Sequence, residues 1–124
     1  MNNIFDNLLV SAPNLGGLLF IERDRWHKLD SINTTGLDIG STRAVRAIQP
    51  NVVVLYQGSS LEVAPPAVTF NDIHDVLIVG DATYVVSTGT NEVFELDSHG
   101  HEVNRWGLPG EPDSSHVNCL AYWQ

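Results

Sequence analysis

Apolar residues along the chain come in short, β-branched runs separated by polar turn residues, the pattern of strands. Leu8 to Ala12 precedes the turn Pro13-Asn14-Leu15-Gly16-Gly17, and Leu18 to Glu22 precedes Arg23-Asp24-Arg25. Trp26 to Ser31 is a third, more polar strand, and Asn33 to Thr42, rich in Asn, Thr, Gly and Ser, reads as a loop. Arg43 to Gln49, Val52 to Gln57 and Leu61 to Ala64 follow, the last stopped by Pro65 and Pro66, which cannot donate to a ladder. Ala67 to Phe70 reads as a short edge strand. Asp75 to Val79, Thr83 to Ser87, Glu92 to Asp97, Glu102 to Trp106 and Val117 to Trp123 complete the set. No window longer than about ten residues carries a 3.6-residue period, so no helix is expected.

The strands repeat. Leu9-Val10-Ser11, a turn, then Leu19-Phe20 matches Val85-Val86-Ser87, a turn, then Val93-Phe94. In both copies a polar loop leads into a new apolar strand, at Arg43-Ala44-Val45 and at His116-Val117-Asn118, and His74-Asp75-Val76-Leu77 supplies a third such entry. Arg43, His74 and His116 then stand at equivalent positions, 31 and 42 residues apart. Such intervals fit four-stranded propeller blades of about 40 residues. With strands labelled a to d from the channel outward, the order is b-c-d, a-b-c-d, a-b-c-d, a. The expected architecture is an all-β half-propeller, a single domain over residues 1–124. About three blades cannot close a ring, so two copies should pair as a six-bladed homodimer, each exchanging its last strand into the partner's first blade. The alternative is the front half of a longer product that pairs internally.

The segments LLVSAPNLGGLLFI, LDSINTTGLDI, DIHDVLIVGDATYVVSTGTNEVFELD and DSSHVNCLA resemble a group of uncharacterised bacterial β-propeller-like proteins with HD and HxN motifs at successive innermost strands. The resemblance implies a six-bladed fold at roughly twice this length and implies no established activity. The chain departs from the pattern in its length and in carrying Arg43 where the other entries carry histidine.

Composition narrows the partners. Of 124 residues, 43% are apolar and only 17% charged, enough for a core and too few charges for disorder. The net charge of -9 and six scattered basic residues argue against nucleic acid and anionic membrane. No apolar run approaches the ~20 residues of a membrane span, and MNNIFDNLLV lacks a basic leader region, so a soluble, cytoplasmic protein is the expectation. The one cysteine, Cys119, lies in an apolar run and is expected to be a small buried residue.

Candidate chemistry gathers at the blade entries. Arg43, His74 and His116 would ring one channel mouth, with Asp72, Asp75, Asp113, Ser115 and Asn118 nearby in sequence. Strand alternation points His116 and Asn118 the same way and Asp75 opposite to His74, into the gap between blades. Three uses are open. Imidazoles and carboxylates could hold a metal, although no dense ligand motif is present and the expectation is none. Arg43, the histidines and Asn118 could bind an anion or a sugar. Alternatively, each histidine could bridge neighbouring strands through Asp72 or Asp113. His99 and His101 with Asp97 read as a hairpin turn, Gly16-Gly17 as a turn with no phosphate-cradling loop, and Ser11 and Ser87 lack a nucleophile elbow. Trp26 and Trp106 sit at matching outer strands, and Trp123 should pack on the partner's blade. No cofactor is called for. Two functions follow: a homo-oligomeric binding module for a small polar or anionic ligand at the channel mouth, with Arg43, His74, His116, Asn118 and Asp75 as contacts, or a lyase or hydrolase using the histidines, with or without a metal.

Overall fold

The computed structural model describes residues 7–14, 16–23, 25–58, 60–63 (the strand path only) and 69–124. They form eleven strands in three antiparallel sheets, with one 3₁₀ turn at Thr88–Thr90 and, among the described residues, no α-helix. Each sheet is a meander of sequential neighbours. The first contains β1 (Leu8–Ala12), β2 (Gly17–Glu22) and β3 (Arg25–Asp30). The second runs β4 (Thr34–Ile39), β5 (Arg43–Ile48), β6 (Val52–Gln57), β7 (Ser60–Val63). The third runs β8 (Ile73–Val79), β9 (Ala82–Ser87), β10 (Glu92–Leu96), β11 (Glu102–Gly107). The sheets are not closed into a barrel or ring. No helix among the described residues is long and apolar enough to cross a membrane.

The second and third sheets share the core. Val45, Ala47, Val53 and Leu55 pack against Ile73, Val76, Val85, Phe94 and Leu96, and Phe70 closes the cluster edge-to-face on Phe94 with ring centroids 5.0 Å apart. Their first strands lie side by side, β4 against β8. Gly36 permits that approach: a Cβ there would lie 2.9 Å from both Asp75 Cα and Val76 N, closer than real Cβ contacts come. Thr35 Oγ1 donates to the Ile73 carbonyl at 2.6 Å, and the Asp38 carboxylate accepts the Ile78 N–H at 2.6 Å.

β4 corrects the sequence expectation, which had Asn33 to Thr42 as a loop and began the second repeat at Arg43. Thr34-Thr35-Gly36-Leu37-Asp38 lacks an apolar alternation because its polar groups are used between sheets and its glycine is required by β8. The repeat therefore starts one strand earlier. Gln49 N–H donates to the Asn33 carbonyl at 2.9 Å, just before β4, as Thr88 N–H donates to the Asp72 carbonyl at 3.1 Å, just before β8. Asn33 and Asp72 are equivalent, 39 residues apart, as are Gln49 and Thr88. Arg43 opens the second strand of its sheet, not the first. The predicted strand from Ala67 lies partly outside the described residues, and Thr69 and Phe70 belong to no strand.

The first sheet contributes nothing to the shared core. All five residues of β1 are half-buried, whereas β5 and β9, its counterparts, carry fully buried side chains. An ion pair between a buried arginine and a half-buried aspartate attaches this sheet to its neighbour. Arg46, 5% exposed on β5, makes two parallel bonds to Asp30 at the end of β3, Nη1 to Oδ2 at 2.8 Å and Nη2 to Oδ1 at 2.7 Å. Its Nε donates to Thr34 Oγ1 at 2.7 Å. These bonds hold the Asp30 carboxyl at about 2, well below the usual carboxylate value of 3.8, against the opposing effect of burial. Because the folded value is depressed, the pair's contribution is complete above about pH 4 and is lost as pH falls through about 2. Replacing Asp30 by alanine strands the Arg46 charge and should cost about 3–5 kcal/mol in urea unfolding at pH 7. The same substitution should remove a loss of about 2 kcal/mol that the unmodified protein shows between pH 4 and pH 2. A neutral-pH cost below about 1 kcal/mol contradicts this role for the pair.

Candidate functional site

Every turn that joins β1 to β2, enters β4, leaves β5 or enters β8 lies at one end of the three sheets. Asn14, Asn33, Thr35, Gln49, Asp72 and His74 meet there, with Pro13, around an open cleft of about 440 Å³. Asp72 has φ 52, a left-handed backbone that aspartate tolerates. That conformation turns its carboxylate back over the β5 end. Oδ1 accepts from Gln49 Nε2 at 2.9 Å and lies 3.2 Å from His74 Nε2. Gln49 Nε2 also donates to the Ile73 carbonyl at 2.6 Å. Asn14 N–H donates to Asn33 Oδ1 at 2.9 Å, tying the first sheet's turn to the same cleft.

His116 joins this end from the segment after β11. Its ring meets His74 edge-on, with centroids 5.2 Å apart, and its Nδ1 lies 2.9 Å from Asp113 Oδ1. Its φ of 44 is left-handed, as at Asp72. The segment is held by a residue that the sequence did not single out. Asn91, 2% exposed, donates from Nδ2 to the Glu111 carbonyl at 2.7 Å and to Ser114 Oγ at 3.0 Å. Its Oδ1 accepts the Ser115 N–H at 3.2 Å, and its carbonyl accepts the Leu108 N–H at 2.8 Å. Its own backbone is left-handed, φ 55, where it ends the 3₁₀ turn, a conformation asparagine tolerates.

The sequence-predicted residues divide accordingly. His74 and His116 come together, each beside a carboxylate, and Asp75 reaches across to accept the Leu120 N–H at 2.8 Å. Asn118 is exposed, two residues beyond His116. Arg43 is elsewhere: its Nη2 donates to the Gly80 and Ala82 carbonyls at 2.6 and 2.8 Å, at the opposite end of the sheets. It was placed beside the histidines because the repeat was framed one strand late. Cys119 is exposed rather than buried. Val117 to Trp123 is not a strand in the single chain, and Trp123 is 92% exposed. His99 and His101 donate their backbone N–H groups to Asp97 Oδ1, both at 2.9 Å, which forms the hairpin turn expected and lowers the Asp97 carboxyl. Trp26 is exposed, while Trp106 stacks on Tyr84 at 6.1 Å. Among the described residues, no three His, Cys, Asp or Glu side chains group closely enough to hold a metal ion.

No family model, no curated protein and no solved structure matches the chain.

Asn91→Ala should free residues 108–116 from the third sheet, since it deletes three side-chain hydrogen bonds at a buried position. The expected cost is about 1–3 kcal/mol. The discriminating readout is amide exchange: Ser115 should lose protection while β5 and β6 keep theirs. Unchanged exchange at Ser115 refutes the anchoring role.

Proposed function

We propose that the protein is a binding module in which three propeller blades per chain close, as a homodimer, into a six-bladed ring, and that the cleft at Asp72 and His74 takes a small hydroxyl-rich ligand. The three sheets support the propeller: each is a sequential meander, and the first strands of the second and third are entered by equivalent hydrogen bonds. Six is the only multiple of three among the usual four to eight blades. The ligand class follows from the lining. Asn14, Asn33, Thr35 and Gln49 supply amides and a hydroxyl, Asp72 a carboxylate, His74 an imidazole. Among the described residues no lysine or arginine lines the cleft, and Arg43 is spent on carbonyls at the far end. An anion would meet Asp72 without a compensating cation, whereas ligand hydroxyls can donate to the carboxylate and accept from amides.

One observation favours a catalytic alternative. His74 and His116 each face a carboxylate, the arrangement that orients an imidazole for proton transfer. This alternative predicts that a bound ligand is consumed, and that His74→Gln stops consumption without abolishing binding.

The test is a thermal-shift and calorimetric titration with monosaccharides and linear polyols against small carboxylates and inorganic phosphate. Saturable binding is expected for the hydroxyl-rich set alone. It should weaken about tenfold or more in Gln49→Ala and in Asp72→Asn, as expected for loss of a hydrogen bond to a ligand or of its charge, at about 1.5–3 kcal/mol each. Asparagine keeps the left-handed backbone of Asp72, so the fold is retained. Equal binding of phosphate or carboxylates, or binding insensitive to both substitutions, refutes the assignment.

A further inference from the structure

The two ends of the stack of sheets are complementary. At one end β1 is, among the described residues, an outermost strand with an unpaired edge, although the strands at its place in the other sheets, β5 and β9, are each covered by a preceding strand. Exposed edges are templates for pairing. At the other end, the segment after His116 sits on the third sheet as β8 sits on the second. Gln49 gives its side-chain donor to the Ile73 carbonyl, and the equivalent Thr88 gives its hydroxyl to the Val117 carbonyl. The residues preceding these acceptors, Asp72 and His116, share the left-handed backbone. Val117 is thus the counterpart of Ile73 and of Thr34. Asn118 corresponds to His74 and Thr35, Cys119 to Asp75 and Gly36, and Leu120 to Val76 and Leu37. Thr88 and Asp75 hold the segment there, and among the described residues its own backbone edge meets no sheet.

We infer that the β1 edge and Val117–Tyr122 of a second copy form one antiparallel ladder, and that this ladder brings the partner's His116 and Asn118 into the wall of the polar cleft. The inference rests on the ring proposed above and specifies its seam. The existing ladders dictate the register. Ile73 faces Ser87, then, past a bulge, Asp75 faces Val86 and Val76 faces Val85, and β4 on β5 repeats the pattern with Thr34–Ile48, Gly36–Ala47 and Leu37–Arg46. With Leu9-Val10-Ser11 matched to Val85-Val86-Ser87, Ser11 faces the partner's Val117, Val10 faces the partner's Cys119 and Leu9 faces the partner's Leu120. The partner's His116 then lies beside Ala12 and Pro13, at the cleft rim, and the partner's Asn118 takes the channel-facing place next to Thr35. A cleft that is open in one chain becomes walled on its fourth side by the other chain. No rearrangement of the segment is required, because it already occupies the first-strand position on its own third sheet.

Cys119 makes the register testable with one substitution. In an antiparallel pair, facing residues lie within disulfide reach, and a one-residue slip puts the side chains on opposite faces. Val10→Cys in the full chain, mildly oxidised, should give a covalent dimer at twice 13.6 kDa on a non-reducing gel. The band should be absent in the unmodified protein, in Val10→Cys/Cys119→Ser and in Ser11→Cys. A band that survives Cys119→Ser, or one that forms equally from Ser11→Cys, overturns the register. If the protein is dimeric in solution but no band forms, the seam is wrong while the ring stands, and a monomeric protein overturns both. A second readout needs no variant. Cys119 is exposed in the single chain and enclosed in the ladder. Alkylation of the native protein should be at least tenfold slower than that of the urea-unfolded protein, and equal rates overturn the proposal.

Discussion

The Arg46 guanidinium is the constraint on which the rest of the arrangement depends. A charge 5% exposed in the middle of a sheet is tolerated only if its donors are met, and here they are met by Asp30 from the neighbouring sheet and Thr34 from the neighbouring strand. Among the described residues the first sheet has no share in the apolar core, so this pair does for it what Val45, Val53 and Leu55 packed with Ile73, Val76 and Val85 do between the other two sheets. Ion-pair attachment is directional where apolar packing is not. It sets the sheet at one orientation, which brings the Asn14 turn to Asn33 and, among the described residues, leaves the outer edge of β1 uncovered.

Polar groups elsewhere in the molecule follow the same logic. Asp38, Thr35, Gln49, Thr88 and Asn91 spend their side chains on the backbone of the next strand or segment in the series. Backbone groups at the seams between antiparallel meanders have no ladder partner of their own, so side chains must supply one. The cost is a chain whose strands look polar at these seams. The benefit is that all of these side chains but Asp38 lie toward one end of the stack, where the cleft forms.

This explains which parts of the fold were legible in the sequence. β1, β2, β5, β6, β9, β10 and β11 carry β-branched runs between turn residues, and each was expected within a residue or two of where it lies. β4 was not, because Thr34, Thr35, Gly36 and Asp38 are chosen for contacts with Arg46 and β8 and not for alternation. That omission shifted the frame by one strand and carried Arg43 to the wrong end of the sheets. That His74 and His116 lie at one end of the sheets was legible from their places in the chain, but the expected equivalence was not correct: His116 takes the place of Asp72, and Asn118 that of His74. Asn91 was not legible, because its partners lie at Glu111, Ser114 and Ser115, about 20 residues away, and no local pattern announces them. The segment Val117 to Trp123 has the sequence of a strand and lacks a sheet in the single chain. In the proposed ring, that pattern is met by a ladder with a second copy. Cys119 illustrates the point: its apolar neighbours indicate burial, and it is exposed in the single chain.

The proposed ring would bury the β1 edge, uncovered among the described residues, and the unsheeted segment after His116 against a second copy, and folding and association would then be linked. Closure at six sheets, rather than open polymerisation, is the central claim. Light scattering at micromolar concentration tests it directly. A single species at twice the 13.6 kDa chain mass, unchanged over a tenfold dilution, is the predicted result. A stable, monodisperse monomer, or a mass that grows with concentration, contradicts it.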